Sequence, residues 1–398
     1  MPHPLLLRGW LGLLAVILAA TPVAGAVPDR GAGVDAAVEE TFRGRNGTVF
    51  TGWERPQAVV VVTGALDGYI EPCGCTGKEN QKGGLTRRRN FLTAVSEAGW
   101  PVVAVDLGGQ VRRFGRQSEA KFQSIADGLR TMGYAAVGFG AGDLRLPAEE
   151  LVAAVAAVGD TPTPFVSANV GLFGLDAGIT PRFRVVEAGG MRIGITSVLG
   201  DKEAAAVRND TVEVLPAAKA LADVAAKLAQ ERCTHQVLLS AATPEETKAL
   251  AARYPQFDVV VTAGGADEPP LELPVLPGGG RLVELGHKGM FAVAVGFFPN
   301  GKRVRSQRVP LDARWGEAED MIRLLAAYQN KLETLGLTGL GVATVRHPTG
   351  RRFAGSAACA DCHQEAYDVW KETPHATALT TLEEQKPRRD GDPECLSC

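Results

Sequence analysis

At 398 residues the chain is too long for one ordinary core and suits two or three domains. Apolar residues make up 45% and charged residues 22%, close to the soluble globular average, so a packed core is expected. The formal net charge of −3 gives no whole-protein reason to expect nucleic acid as a partner. The local basic runs at Arg87-Arg88-Arg89 and at Arg112, Arg113 and Arg116 read as solvated surface or a helix start.

Residues 1–26 read as a signal peptide. Arg8 supplies the positive end, Trp10 to Ala20 an apolar core too short to span a bilayer, and Ala24-Gly25-Ala26 a small-residue cleavage site. An uncleaved anchor is the alternative. No later stretch of sequence is long and apolar enough to span a membrane. The mature chain is therefore expected outside the cytoplasm, periplasmic in a Gram-negative source, with no transmembrane anchor. Residues 27–55 read as a leader.

The first domain is expected over 56–312. The runs 58–63, 101–106, 135–140, 165–170, 192–198, 236–240 and 258–262 read as buried strands. Helical patterns separate most of them, at 85–98, 117–131, 147–157, 215–231 and 244–253. This alternation argues for an α/β architecture covered by helices on both faces. The strands at 281–285 and 291–298 follow each other without a helix and read as antiparallel, with a turn at 299–302. A helix over 317–335 and a Gly-rich link fill 313–350, and 351–398 is a Cys/His-rich tail.

The seven cysteines are grouped as Cys73/Cys75, Cys359/Cys362 and Cys395/Cys398, with Cys233 alone. Cys359-Ala360-Asp361-Cys362-His363 is the attachment pattern of a c-type haem. Two thiols three positions apart reach the two vinyl groups of one haem, and His363 then stands at the iron as an axial ligand. A zinc or redox CxxC preceding a His is the alternative. His375 is either a second iron ligand or a solvated surface side chain. Cys395-Leu396-Ser397-Cys398 is a second CxxC without its His, read as a truncated attachment motif, a terminal disulfide or a metal pair.

Through SAACADCHQEAYDVW, TPHATAL and DPECLSC, the stretch from Ser356 to Cys398 resembles multihaem c-type cytochromes of the c-552 and c-554 type. The resemblance implies haem attachment at Cys359, Cys362, Cys395 and Cys398, ligation by His363, and a distal-ligand role for His375. It implies at least one haem c, and two or more in a longer chain, with a redox protein as partner.

The region from about Ala58 to Arg308 resembles the N-terminal domain of periplasmic 5′-nucleotidases and related calcineurin-like metallophosphoesterases. The likeness rests on the order of VVVVTGALDG, GGLTRRR, VVAVDLGG, GYAAVGFGAGDLR, FVSANV and FDVVVTAGGAD. It implies an α/β, layered αββα sandwich, followed here by a small, mostly helical haem-binding segment. A two-metal site needs carboxylate and imidazole ligands around ions ~3.5–4 Å apart. At the family's ligand positions stand Ala65 and Asp67, Gly109, Ala141 and Gly142, Ala241, Gly264 and Ala266. Asp67, Asp106 and Asp143 stay nearby without making a binuclear cage, and neither His235 nor His287 falls at a ligand position. Metal-dependent phosphoester hydrolysis is therefore not expected.

Glu71-Pro72-Cys73-Gly74-Cys75 follows the first strand, at the strand end where open α/β sheets present their sites. Cys73 and Cys75 are either a redox or soft-metal pair, with Lys78 and Lys82 stabilising a thiolate, or a structural disulfide or inert thiols. The EPCGC segment also resembles 5′-nucleotidase-like proteins, some of them selenoproteins. Cys233 reads as a buried or unpaired thiol. Three functions are expected from this: haem-based electron transfer, an unusual phosphoesterase, or a pseudo-enzyme module docking a redox partner.

Overall fold

The computed structural model describes Val27, Gly44 and residues 48–72, 80–299, 304–343, 347–352 and 354–397. Cys73, Cys75, Cys398, Lys78 and the expected signal peptide lie outside the described residues.

Strand β1 (Ala58–Thr63) is buried at every residue, as expected of an all-apolar run at the middle of a sheet. It pairs parallel with β2 (Val102–Asp106), which pairs with the short β3 (Ala136–Val137). Helices α1 (Leu85–Glu97), α2 (Arg116–Thr131) and α3 (Ala148–Val155) follow these strands in turn. Next come β4 (Val170–Leu172), β5 (Arg184–Ala188), β6 (Met191–Leu199), α4 (Asp201–Ala204) and β7 (Val212–Val214). Then α5 (Ala217–Gln230), β8 (His235–Ala241), α6 (Pro244–Arg253), β9 (Val259–Thr262) and β10 (Arg281–Glu284) build a second sheet. Finally β11 (Phe291–Phe297) and β12 (Val304–Pro310) return to the first.

Two five-stranded sheets result, ordered β12-β11-β1-β2-β3 and β10-β9-β8-β6-β5, while β4 and β7 form a small ribbon. Side chains alternate across each strand, so one strand serves two interfaces. Val237 and Leu239 of β8 and Val259 and Val261 of β9 join the core shared with the first sheet. Leu238 and Val260 face the other way, against Leu221, Val224 and Leu228 of α5 and Leu250 of α6. The layers are thus αββα, the architecture the sequence implied.

Three local readings change. The strands at 281–285 and 291–298 are not partners: β10 lies parallel to β9 in the second sheet, and β11 antiparallel to β1 in the first. The loop 285–290 crosses between the sheets. The run 165–170 touches β3 through one bridge and contributes only Val170 to a strand. Backbone bonds from Val166 to Val137, Ser167 to Pro181 and Ala168 to Ser197 hold it, and its own polar side chains add to them. Asn169 donates to the carbonyls of Leu199 and Leu215 and accepts from the Leu199 N–H, and Ser167 Oγ accepts from the Asn169 and Val170 N–H groups. Of the two alternatives for the basic runs, the helix start holds at Arg87-Arg88-Arg89, in the first turns of α1, where Arg87 and Arg88 are buried rather than solvated, while Arg112, Arg113 and Arg116 are exposed.

After the sheets, α7 (Glu319–Gly339) lies over α1 and α2, with Arg89 Nε 3.0 Å from Asp320 Oδ2, and kinks at Gly336, where φ is 62°. The tail carries α8 (Gln364–Lys371), α9 (Ala378–Glu384) and α10 (Pro393–Leu396), and these helices bury none of their residues. No helix among the described residues is long and apolar enough to cross a membrane.

Candidate functional site

The loops leaving β1, β2 and β3 meet at Ala65, Asp67, Gly109, Ala141 and Gly142, the positions that the resemblance assigns to metal ligands. Here backbone closes on backbone. The N–H groups of Ala65, Asp67 and Gly68 donate to the carbonyls of Gly108, Gly109 and Gln110 at 2.8, 3.0 and 2.7 Å. A Cβ built on Gly140 would stand 2.7 Å from Gly109 Cα, so no side chain fits between these loops. Ala65 and Asp67 themselves take left-handed backbone, φ 48° and 55°, which non-glycine residues rarely adopt.

The surviving carboxylates are already engaged. Asp143 Oδ2 accepts from the N–H groups of Gly109 and Gly140 at 2.9 Å each, and Oδ1 from Val111 at 3.0 Å. Burial pushes this carboxyl up to about 6 against the pull of those donors. Asp106 forms a fully buried ion pair with Arg88 at 3.0 Å. It also accepts from Thr63 Oγ1 and Gln110 Nε2, both at 2.6 Å, and from the Gly108 N–H at 2.9 Å. Asp67 is raised by burial. Among the described residues no group of three or more His, Cys, Asp or Glu is placed to hold a metal ion.

The tail is arranged differently. A 3₁₀ turn at Ser356–Cys359 leads into the attachment motif, and the Cys359 carbonyl accepts from the N–H groups of Cys362 and His363 at 3.4 and 2.8 Å. His363 then stands at the N-terminus of α8. Cys359, Cys362, His363 and His375 are all exposed, and both thiols are free. The surrounding apolar side chains lack a core of their own: Val369 is 71% and Leu379 54% exposed. A segment this small needs an internal staple, and a porphyrin bound by these thiols would supply the missing apolar centre. The residues present therefore fit a c-type haem.

The second CxxC is held by the α/β domain. Asp392 accepts from Gln117 Nε2 at 2.7 Å and Gln329 Nε2 at 3.1 Å. Glu394 pairs with Lys121 and, at 3.2 Å, with Arg113. Arg389 Nε donates to Glu71 at 3.0 Å. Cys395 thereby comes to line a small cavity with Tyr69, Glu71 and Pro72, the last residue before Cys73. Burial, then Asp392 and Glu71, push the Cys395 thiol up to about 12, which keeps it protonated and suits it poorly to thiolate chemistry. Cys233 is free and half-buried.

A family model described as cytochrome c554 and c-prime matches residues 358–398. No curated protein matches the chain in sequence. Among solved structures, the chain is similar to a 5′-nucleotidase precursor from Thermus thermophilus, with TM-score 0.56, 19% identity, and coverage of 70% of this chain and 59% of that one. It is similar to the sulfate thiohydrolase SoxB of Thermus thermophilus, with TM-score 0.56, 14% identity, and coverage of 70% and 61%. It is also similar to the calcineurin-like phosphoesterase YfkN from Bacillus subtilis, with TM-score 0.53, 12% identity, and coverage of 69% and 97%. The α/β domain thus has the 5′-nucleotidase and calcineurin-like metallophosphoesterase fold, and the tail is the stretch that the cytochrome c554 and c-prime model matches. The chain spans less than two thirds of either Thermus protein.

Sequence reasoning read Arg112 as solvated surface or a helix start, set His287 aside as off any ligand position and passed over Arg145, and the structure puts all three on the wall of one cavity. Each follows a parallel strand at its C-terminal end, and Gly286-His287-Lys288-Gly289 in such a position was the signal available.

Proposed function

We propose that the chain is an extracytoplasmic electron-transfer protein that carries c-type haem on a metallophosphatase-fold domain without hydrolytic chemistry. The observation that carries the reading is the exposed Cys359/Cys362 thiol pair beside His363, inside a segment matched by a cytochrome c family. When bound, haem supplies one-electron transfer at its iron. Cys359 and Cys362 hold it by adding each S–H across one vinyl group, sulfur to one carbon and hydrogen to the other, with no electrons exchanged. His363 would donate a ring nitrogen to the iron, and His375 is the candidate for a further ligand. Cys395 and Cys398 hold a second haem in the same way. A redox protein is the partner.

Cys73 and Cys75 are a redox pair or a site for a thiophilic metal. A disulfide closed over a single residue departs from preferred geometry and is easily reduced. The docking of Glu71 and Pro72 against the second CxxC supports a redox role for their neighbour.

His363→Ala tests the haem reading. The matured protein is expected to keep its thioethers and to shift one haem from low to high spin in its absorption spectrum. An unaltered low-spin spectrum would assign the proximal position to another residue.

The hydrolase reading would use Asp67, Asp106 and Asp143, and of these Asp106 and Asp143 are taken up by internal hydrogen bonds. We expect no stimulation of 5′-nucleotide hydrolysis by Mn²⁺ or Zn²⁺. Metal-dependent turnover in the usual enzyme range of ~1–1000 s⁻¹ would restore that reading.

A further inference from the structure

Helix α2 carries a lysine that the fold buries. The Lys121 side chain is 9% exposed, and among the described residues its ion pair is with Glu394 of the tail. The α/β domain therefore supplies a buried cation and draws its anion from another part of the chain. A buried ammonium without a counter-charge is strongly destabilising. This position calls for an anion whether or not the tail is docked.

Lys121 and Glu394 both line a cavity of about 950 Å³ between the α/β domain and α10. One Glu394 oxygen faces Lys121 and the other lies 3.2 Å from Arg113 Nη1. Beyond this pair the lining stays cationic, with five lysine and arginine side chains against two carboxylates, Glu394 and Asp67. Asp67 faces Arg112, His287 and Lys288. Arg145 enters no ion pair among the described residues. Phe114, 80% exposed, adds an apolar face to the same wall.

The tail's hold on this wall is polar. Arg389 binds Glu71, Asp392 binds Gln117 and Gln329, and α10 buries none of its residues. Contacts of this kind exchange with ions from solution more readily than apolar packing does. Glu394 shows what chemistry fits: a carboxylate with one oxygen on Lys121 and the other on Arg113. A single inorganic ion would fill that position and leave Arg145, Phe114 and most of the volume unused. The volume, at the upper end of the ~300–1,000 Å³ of small-molecule sites, leaves room for an organic body and a second charged group.

We propose that the cavity is a binding site for a small organic dicarboxylate. Glu394 occupies its first carboxylate position from within the chain. The ligand displaces Glu394 from Lys121 and Arg113, sets its second carboxylate on Arg145, and loosens residues 387–397 from the α/β domain. This site does not depend on haem attachment. It gives the strand-end loops a ligand of their own and makes the docking of the tail respond to it.

The experiment uses the full chain, matured with c-type haem, and succinate as the probe. Glu394→Gln keeps the shape of the internal competitor and removes its charge. A competitor that fills the site about nine-tenths of the time weakens the apparent Kd about tenfold, so by calorimetry this variant should bind succinate about tenfold more tightly than the parent. In the parent, succinate should also speed proteolysis within 387–397. Adding Lys121→Met to Glu394→Gln should abolish binding with the far-UV circular dichroism unchanged. Adding Arg145→Gln, at an exposed position, should weaken succinate binding to the level of butyrate, which has the same carbon count and one carboxylate. No saturable binding of succinate to Glu394→Gln, or binding that survives Lys121→Met, would overturn the site. Equal affinity in the parent and Glu394→Gln would overturn the exchange with Glu394. Butyrate or sulfate bound as tightly as succinate, or succinate binding indifferent to Arg145→Gln, would overturn the dicarboxylate assignment. The Arg145 and butyrate arms keep the test decisive if Lys121→Met fails to fold.

Discussion

Replacing both Cys359 and Cys362 by serine is expected to remove one covalently held haem from the matured chain and to unfold the tail around it. The first effect follows from bonding: without sulfur no thioether forms, and the denatured protein loses the mass of one haem. The second follows from packing. Helices α8 and α9 bury none of their residues, and Tyr367 and Trp370, 5.5 Å apart, offer only a local contact. Isolated helices of eight and seven residues are well below the ~12–15 needed for marginal stability in water. With haem lost, residues 354–386 should become the first region cut by protease, while 387–397 stay held by Arg389, Asp392 and Glu394. A double mutant whose tail resists protease as the parent does would show that the segment folds without haem.

The second large effect is expected at the buried Arg88–Asp106 pair. Arg88→Met leaves the Asp106 carboxylate in the core without its cation, though still bonded to Thr63, Gln110 and the Gly108 N–H. Removing one partner of a buried pair costs ~3–5 kcal/mol. For a domain of this size each kcal/mol corresponds to ~2–4 °C, so the melting temperature should fall by roughly 10 °C. Arg88 Nε and Nη2 find no hydrogen-bond partner among the described residues, so the pair does not repay its whole desolvation cost. Arg88→Met with Asp106→Leu should therefore recover much of the loss. Urea unfolding of the three proteins measures both terms. A single mutant within ~0.5 kcal/mol of the parent, the ordinary range for surface substitutions, would mean that the pair does not anchor α1 to β2.

These two sites differ in how far the sequence foretells them. The haem motif is legible because its chemistry is local: two sulfurs and a nitrogen must fit one porphyrin, and covalent spacing within five residues fixes the fit. The strands at 58–63 and 102–106 are legible for a similar reason, since an unbroken apolar run of that length has few alternatives to a covered sheet. The lack of side-chain donors at Ala65, Gly109, Ala141, Gly142, Gly264 and Ala266 is equally legible, because alanine and glycine carry no side-chain ligand atoms wherever the fold puts them.

Arg88 shows where such reading stops. Among three consecutive arginines, two of them buried, nothing local distinguishes Arg88 as the one that meets Asp106, and only the pairing of β1 with β2 brings Asp106 to it. The same holds for β10 and β11. Only six residues separate them, yet they enter different sheets because β9 and β1 present the open edges. The docking of Glu394 on Lys121 joins positions 273 residues apart. What the sequence by itself determined is the chemistry each short segment can perform. What only the tertiary structure decided is which segments share a cavity, because contacts between distant residues depend on the registration of whole sheets and helices rather than on spacing along the chain.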